Sequence, residues 1–265
     1  MKGFVMTNGF SDVIDWSDGF LRNNETGTMW GLFDHIMFDK LIETATDVSK
    51  KNDPFMITFF TTTNHDPFRI PKEYESLLPN FKLGKRKHQK AKLTMAYDDL
   101  LIADFLDKAK QYEWYDNTIF IFTADHGLSV HRDISNHPLN GHIPFLIYSE
   151  LLDTNFTINK IVSQLDIFPT ILDLIGEDDK LEELYGISGL RFGSGFASRV
   201  TDKQLQWIDS EYVYNEFINT EKQDIYQYNN IWGPYINLTN EVNNKIINDN
   251  QVKCRSYIQD AYTKY

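Results

Sequence analysis

The chain has 265 residues, of which 42% are hydrophobic and 14% aromatic. This length predicts one substantial domain, or one domain with a small appendage, and the composition excludes a disordered chain. The 26 basic and 38 acidic residues give a net charge of −12, which argues against nucleic-acid binding. The single cysteine, Cys254, excludes an intrachain disulfide framework and a cysteine-based zinc site.

No stretch approaches the roughly 18 consecutive apolar residues that a membrane-spanning helix needs. The first six residues are followed at once by Thr7-Asn8-Gly9, so the apolar core of a secretory signal peptide is missing. The sequence as it stands therefore predicts a soluble chain without an export signal.

The first elements follow from the hydrophobic pattern. Residues 1–30 are rich in Gly, Asn, Asp and Ser and predict irregular surface structure. Apolar residues recur every three or four positions over 32–49 and over 93–112, which predicts two amphipathic helices. A further helical segment over 158–176 is expected to break at Pro169. Apolar runs predict three buried strands, at 55–61, 118–123 and 143–148.

Strands that alternate with helices predict an α/β sheet flanked by helices. After Gly193 the pattern changes to short segments rich in Tyr, Ile and Val, which predict an antiparallel meander over 211–238. Residues 240–264 are expected to close the chain as a helix. The predicted organisation is an α/β catalytic domain over 1–193 and a small antiparallel β plus helix subdomain over 194–265.

The second predicted strand leads directly into Asp125-His126-Gly127. In open α/β sheets, ligands bind outside the carboxyl ends of the strands. Aspartate oxygen and histidine nitrogen are ligands for Zn²⁺, Mn²⁺ and similar cations, and glycine permits a tight turn. The pattern predicts that Asp125 and His126 bind one divalent metal ion. The alternative is an ordinary tight turn capped by the histidine.

The first predicted strand ends near His65, in the sequence Thr63-Asn64-His65-Asp66-Pro67. An imidazole at this sheet edge can hold a phosphate or sulfate oxygen, or can transfer a proton. We expect His65 to share a cleft with the metal pair. The alternative is a loop histidine that is hydrogen-bonded to the backbone.

Other polar residues lie between the second and third predicted strands. Ser129 follows the Asp-His-Gly motif closely enough to contact the same ligand, and we predict that it binds substrate. His131, His137 and His142 form a cluster in the same loop, although each histidine alone is typical of a solvated surface. His35 is expected on the exposed face of the first helix.

Several other mechanisms lack sequence support. The chain contains no Gly-x-Ser-x-Gly nucleophile elbow, no Walker loop and no dinucleotide-binding glycine fingerprint. Cys254 falls in the last predicted helix, so a catalytic role is not expected.

A set of motifs occurs in a characteristic order along the whole chain. They are Trp30-Gly31-Leu32-Phe33-Asp34, Asn64-His65-Asp66-Pro67-Phe68, Tyr97-Asp98-Asp99, Tyr115-Asp116-Asn117-Thr118, Ala124-Asp125-His126-Gly127, His142-Ile143-Pro144 and residues 164–176. In this order they resemble the sulfatase family of the alkaline phosphatase superfamily, and most of all its lipoteichoic acid synthase and phosphoglycerol transferase branch. The resemblance implies an alkaline-phosphatase-like sheet flanked by helices, with a small C-terminal antiparallel sheet plus helix.

The resemblance also implies a metal-dependent reaction at a phosphate or sulfate ester of a cell-envelope glycolipid or glycan. Asp125 and His126 match the metal-binding pair of the synthase branch, and His65 matches the histidine that contacts the substrate phosphate. The expected metal is Mn, with Mg, Ca and Zn as alternatives. In this family a threonine or a formylglycine is the nucleophile.

The family's metal-binding carboxylate and its nucleophile precede the region that these motifs cover. The sequence is therefore expected to be an N-terminally truncated catalytic domain without a nucleophile, inactive alone, whose full-length parent is membrane-anchored with an extracytoplasmic catalytic domain. Loss of parallel strands would expose a sheet edge and predicts self-association. The alternative is a non-catalytic, sulfatase-like binding or interaction module.

Overall fold

A computed structural model describes residues 2–15, 26–81, 87–128, 137–177, 179, 181, 184–229 and 235–264. The chain divides into two compact units. The first comprises Met1–Ile121 and Ile147–Asp153, and the second comprises Phe122–Leu146 and Thr154–Tyr265. The domain boundary expected between residues 193 and 194 stays a prediction.

The first unit is built mainly from helices. They are α1 (Lys2–Thr7), α2 (Asp34–Ser49), α3 (Lys72–Glu75) and α4 (Lys87–Ala109). Helices α2 and α4 confirm the two amphipathic predictions, and they pack through Phe38, Ile42, Tyr97, Leu101 and Phe105. Helix α1 lies in the part that was expected to be irregular, and it buries none of its residues.

The apolar run at 55–61 differs from its prediction as a strand buried on both faces. It forms no strand in the part of the chain that the structure describes. Ile57 and Phe59 are half-buried and pack against the helices of the first unit. Met56 and Phe60 are 65% and 63% exposed. The helices cover one side of the run, and no described element covers the other, so alternate side chains face solvent.

The other two apolar runs form strands, but no residue of either strand is fully buried, contrary to the prediction of buried strands. Strand β1 (Phe120–Thr123) pairs with strand β2 (Phe145–Tyr148) in a two-stranded sheet. A 3₁₀ turn over Gln164–Asp166 then leads into α5 (Ile167–Leu174). Pro169 does not break this helix, because it lies in the first turn, where a backbone N–H has no partner within a helix.

The second unit contains a five-stranded antiparallel meander in sequence order. Its strands are β3 (Ala197–Val200), β4 (Gln204–Ile208), β5 (Tyr212–Phe217), β6 (Gln223–Gln227) and β7 (Ile236–Asn237). The pattern predicted β5, β6 and β7 and missed β3 and β4. Helix α6 (Asn244–Lys264) packs on this sheet through Cys254, which is buried against Trp207 and Tyr214. Within the described ranges, no helix is both long enough and apolar enough to cross a membrane.

Candidate functional site

The loop after β1 carries the predicted metal ligands, Asp125 and His126. Their side chains are 72% and 78% exposed. One polar atom of each side chain is hydrogen-bonded to a backbone group. Asp125 Oδ1 accepts a hydrogen bond from the His126 N–H at 2.8 Å, and His126 Nδ1 lies 3.2 Å from the Gly127 carbonyl oxygen. Asp125 Oδ2 and His126 Nε2 then lie 3.7 Å from each other.

This arrangement fits a divalent cation. Two atoms that bind one ion at roughly 2.0–2.2 Å lie about 3–4 Å apart, and the Oδ2–Nε2 distance of 3.7 Å falls within that range. A hydrogen bond from Nδ1–H to the Gly127 carbonyl leaves the lone pair on Nε2, as in many metal-binding histidines. In the described part of the chain, no group of three or more His, Cys, Asp or Glu side chains could hold a metal. A site with two protein ligands is expected to bind weakly.

Two residues hold the Asp125–His126 loop in place. The Gln164 side-chain amide donates to the carbonyl oxygens of Ala124 at 2.9 Å and Asp125 at 2.8 Å. A Cβ atom on Gly127 would lie only 2.7 Å from the Asn140 carbonyl oxygen, so this close approach requires glycine. Gln164 begins the motif of residues 164–176, but the sequence pattern assigned it no role. The signal that could have indicated such a role is a polar residue at the start of an otherwise apolar segment.

In the first unit, His65 lies on an exposed turn against an indole ring. The ring centroids of Trp30 and His65 are 3.6 Å apart. The Trp30 Nε1–H donates to the Asp66 carbonyl oxygen at 2.8 Å, and His65 Nδ1 lies 3.3 Å from the same oxygen. With Nδ1–H directed to this carbonyl, Nε2 is the ring nitrogen left for a ligand. The two predictions for His65 are compatible when the ring is doubly protonated, because Nε2–H can then donate to an anion while Nδ1–H keeps the backbone contact.

Two buried carboxyl groups accept hydrogen bonds from the segment that precedes His65, and the sequence pattern assigned no role to either. Asp34 is fully buried and accepts hydrogen bonds from the N–H groups of Thr62 at 2.7 Å and Thr63 at 3.1 Å. Asp98 is 7% exposed and accepts a hydrogen bond from the Asn64 side-chain amide. Burial raises the pKa of Asp98 to about 9, and the neighbouring charge of Asp34 and a hydrogen bond to it add to the shift.

Burial and the neighbouring Asp34 both favour the protonated form of Asp98. Asp98 Oδ1 is buried and has no hydrogen-bond partner among the described residues. At neutral pH the pair therefore holds one proton that an unfolded chain would release.

The remaining predicted candidates have different environments. Ser129 and His131 lie outside the described residues. His137 is buried, and its Nδ1 accepts a hydrogen bond from the Leu139 N–H at 3.1 Å. His142 is exposed. The predicted contact of Ser129 with substrate and the shared cleft of His65 with the metal pair stay predictions.

His35 differs from the expectation of an exposed side chain. It is partly buried, and its Nδ1 lies 2.7 Å from the Tyr97 hydroxyl oxygen. Burial lowers the pKa of His35 below its ordinary value, so its neutral form is favoured. Helical spacing alone did not reveal this contact because the partner lies on another helix.

The family model described as Sulfatase matches residues 1–177, which is more than half of the chain. The chain belongs to the sulfatase family. Among curated proteins, this sulfatase-family chain is 26% identical over 220 residues to the lipoteichoic acid synthase-like protein YvgJ of Bacillus subtilis, covering 77% of the chain and 34% of that protein. It is 27% identical over 216 residues to lipoteichoic acid synthase of Staphylococcus aureus, covering 73% of the chain and 32% of that protein.

Solved structures share the fold. Lipoteichoic acid synthase LtaP from Listeria monocytogenes has a TM-score of 0.71 at 17% identity, covering 91% of this chain and 61% of that one. A protein of the alkaline phosphatase superfamily from Vibrio parahaemolyticus has a TM-score of 0.69 at 23% identity, covering 90% and 58%. These structural likenesses confirm the predicted α/β fold, and the family match and the curated relatives confirm the resemblance to lipoteichoic acid synthases. The chain spans about a third of the length of the curated relatives it matches.

Proposed function

We propose that this chain contributes metal-binding and anion-binding residues to a metal-dependent phosphoglycerol transferase, or phosphate- or sulfate-ester hydrolase, of the cell envelope. The observation that carries the proposal is the pairing of Asp125 Oδ2 with His126 Nε2 at 3.7 Å, with the other polar atom of each side chain engaged by the backbone. Membership of the sulfatase family and similarity to lipoteichoic acid synthases support this reaction class.

Each named residue has a separate task in this proposal. Asp125 and His126 hold a divalent ion, with Mn²⁺ as first choice and Mg²⁺, Ca²⁺ or Zn²⁺ as alternatives. When bound, such an ion supplies Lewis-acid stabilisation of charge on an ester oxygen. In its doubly protonated form, His65 keeps Nδ1–H directed to the Asp66 carbonyl and donates a hydrogen bond from Nε2–H to a phosphate or sulfate oxygen. Ser129 is a second substrate contact. We assign no nucleophile to the residues of this chain.

The whole protein's substrate, activity and location belong to the same proposal, because the chain covers about a third of its curated relatives. We propose a glycolipid or glycan substrate and an extracytoplasmic catalytic domain in a membrane-anchored parent.

Metal binding tests the assignment directly. The 265-residue chain is titrated with Mn²⁺ and followed by electron paramagnetic resonance, which distinguishes free from bound ion. Asp125→Asn and His126→Ala are each expected to weaken binding at least about 10-fold, since each removes a ligand. Asp116→Asn is the matched control, because it makes the same charge change at an exposed position before β1. Equal affinities in Asp125→Asn and Asp116→Asn would show that the metal assignment is wrong.

Turnover tests the reaction class in the full-length gene product. Phosphodiester and sulfate-ester substrates are supplied with Mn²⁺, and His126→Ala is expected to abolish activity. His65→Ala is expected to retain Mn²⁺ binding and to weaken substrate binding. Activity on the sulfate ester alone would favour a sulfatase over a phosphoglycerol transferase. Metal binding without turnover of either ester would favour the non-catalytic module.

A further inference from the structure

The three residues that precede His65 are each hydrogen-bonded to one of two buried carboxyl groups. Asp34 Oδ1 accepts from the Thr62 N–H at 2.7 Å, and Asp34 Oδ2 accepts from the Thr63 N–H at 3.1 Å. The Asn64 side-chain amide donates to Asp98. The Asp34 N–H returns a hydrogen bond to the Thr63 hydroxyl at 3.2 Å. Backbone and side-chain groups of this segment are therefore fixed from the helix side.

Two buried carboxyl groups hold this turn at a cost in folding free energy. Burying carboxyl groups costs free energy unless cations or hydrogen bonds compensate for the lost hydration. The neighbouring acid, Asp34, raises the pKa of Asp98 further, so the two buried carboxyl groups do not compensate each other's burial. An apolar pair at these positions would cost less but would offer no acceptors to the segment 62–64. The buried carboxyl groups therefore fix the position of the segment 62–64 and do not stabilise the fold.

The tip of the 26–33 segment also contacts this turn. The Thr28 N–H bonds to the Gly31 carbonyl oxygen at 2.8 Å, and a Cβ atom on Gly31 would lie 3.0 Å from Thr62 side-chain atoms. This close fit brings Trp30 against His65, with ring centroids 3.6 Å apart. The Trp30 Nε1–H and His65 Nδ1 both face the Asp66 carbonyl oxygen, which fixes the imidazole plane.

We infer that Asp34 and Trp30 are positioning residues for His65: Asp34 fixes the backbone that precedes it, and Trp30 fixes the orientation of its ring. The inference rests on the proposed role of His65 as the anion-binding residue. Neither positioning residue is required to contact the anion. The proton on Asp98 removes one of the two negative charges of the pair, so an uncharged amide at position 98 can take its place.

The position of the His65 ring is measured without any ligand. The indole ring of Trp30 is expected to shift the His65 Cε1–H nuclear magnetic resonance upfield, because the ring centroids are 3.6 Å apart, and Trp30→Ala defines the unshifted position. Asp34→Asn replaces a two-oxygen acceptor by a group with one acceptor and one N–H donor facing the N–H groups of Thr62 and Thr63. This variant is expected to lose the upfield shift, whereas Asp98→Asn is expected to keep it. A wild-type shift in Asp34→Asn would overturn the inference.

Titration with inorganic phosphate then separates this inference from the proposed function. In the wild type the His65 resonance is expected to move on addition of phosphate, and Asp34→Asn is expected to need about 10-fold more phosphate. If the wild-type His65 resonance does not move on addition of phosphate, the proposed anion-binding role is wrong. The ligand-free comparison of ring positions would still test the positioning role. Wild-type phosphate affinity in Asp34→Asn, with the ring displaced, would also overturn the inference.

A second variant keeps the inference testable if Asp34→Asn fails to fold by circular dichroism. Thr63→Val keeps the shape of the buried Thr63 side chain and removes the hydroxyl that accepts the hydrogen bond from the Asp34 N–H. A weakened upfield shift in a folded Thr63→Val supports the inference, and an unchanged shift contradicts it.

Discussion

The proton held by Asp98 predicts a specific dependence of stability on pH. The pKa of this buried carboxyl is raised from 3.8 to about 9, so between these values the folded chain binds a proton that the unfolded chain releases. A raised acid pKa makes the folded state lose stability as pH rises. The slope for one proton is about −1.4 kcal/mol per pH unit, so the loss from pH 5 to pH 8 is about 4 kcal/mol.

Asp98→Asn removes this proton while keeping the shape and the hydrogen-bonding groups of the side chain. The free energy of unfolding of the variant, relative to wild type, is therefore expected to rise by about 4 kcal/mol between pH 5 and pH 8. Urea unfolding, followed by far-ultraviolet circular dichroism at several pH values, measures the difference. Asp99→Asn is the matched control, because Asp99 is the exposed neighbour on the same helix and undergoes the same charge change. Parallel stability curves for wild type and Asp98→Asn would refute the reasoning.

Three further changes test the metal loop and the second unit. Gly127→Ala places a methyl group 2.7 Å from a backbone oxygen, so we expect about 10-fold weaker Mn²⁺ binding by paramagnetic resonance; unchanged affinity would contradict the close fit. Ile225→Ala empties a site that is 1% exposed and is expected to cost about 2–5 kcal/mol in urea unfolding, whereas Ile236→Ala at an exposed position should cost far less. Arg255→Gln breaks the paired hydrogen bonds to Glu216 and is expected to cost about 1 kcal/mol at neutral pH. Because Arg255 lowers the pKa of Glu216, that cost should shrink in acid as Glu216 becomes protonated, and a pH-independent cost would contradict the assignment.

Several parts of the fold were determined by local sequence alone. Helices α2 and α4 follow from apolar residues spaced by three and four positions, since that spacing places them on one buried face. Strands β1 and β2 follow from short apolar runs bounded by polar residues. The adjacent Asp125 and His126 also required only local information, because both side chains are carried by one loop.

Other features depended on contacts between distant parts of the chain. The run at 55–61 has the composition of a buried strand, but burial on both faces requires neighbours on both sides, and the described residues cover one side. Gln164 meets the Asp125 carbonyl from about forty positions away, and the contact of Trp30 with His65 spans a similar separation. Asp34 and Asp98 each resemble an ordinary helical aspartate in the sequence. Only the packing of α2 beside α4 brings their carboxyl groups together, because the raised pKa of Asp98 arises from burial and proximity, which no local pattern encodes.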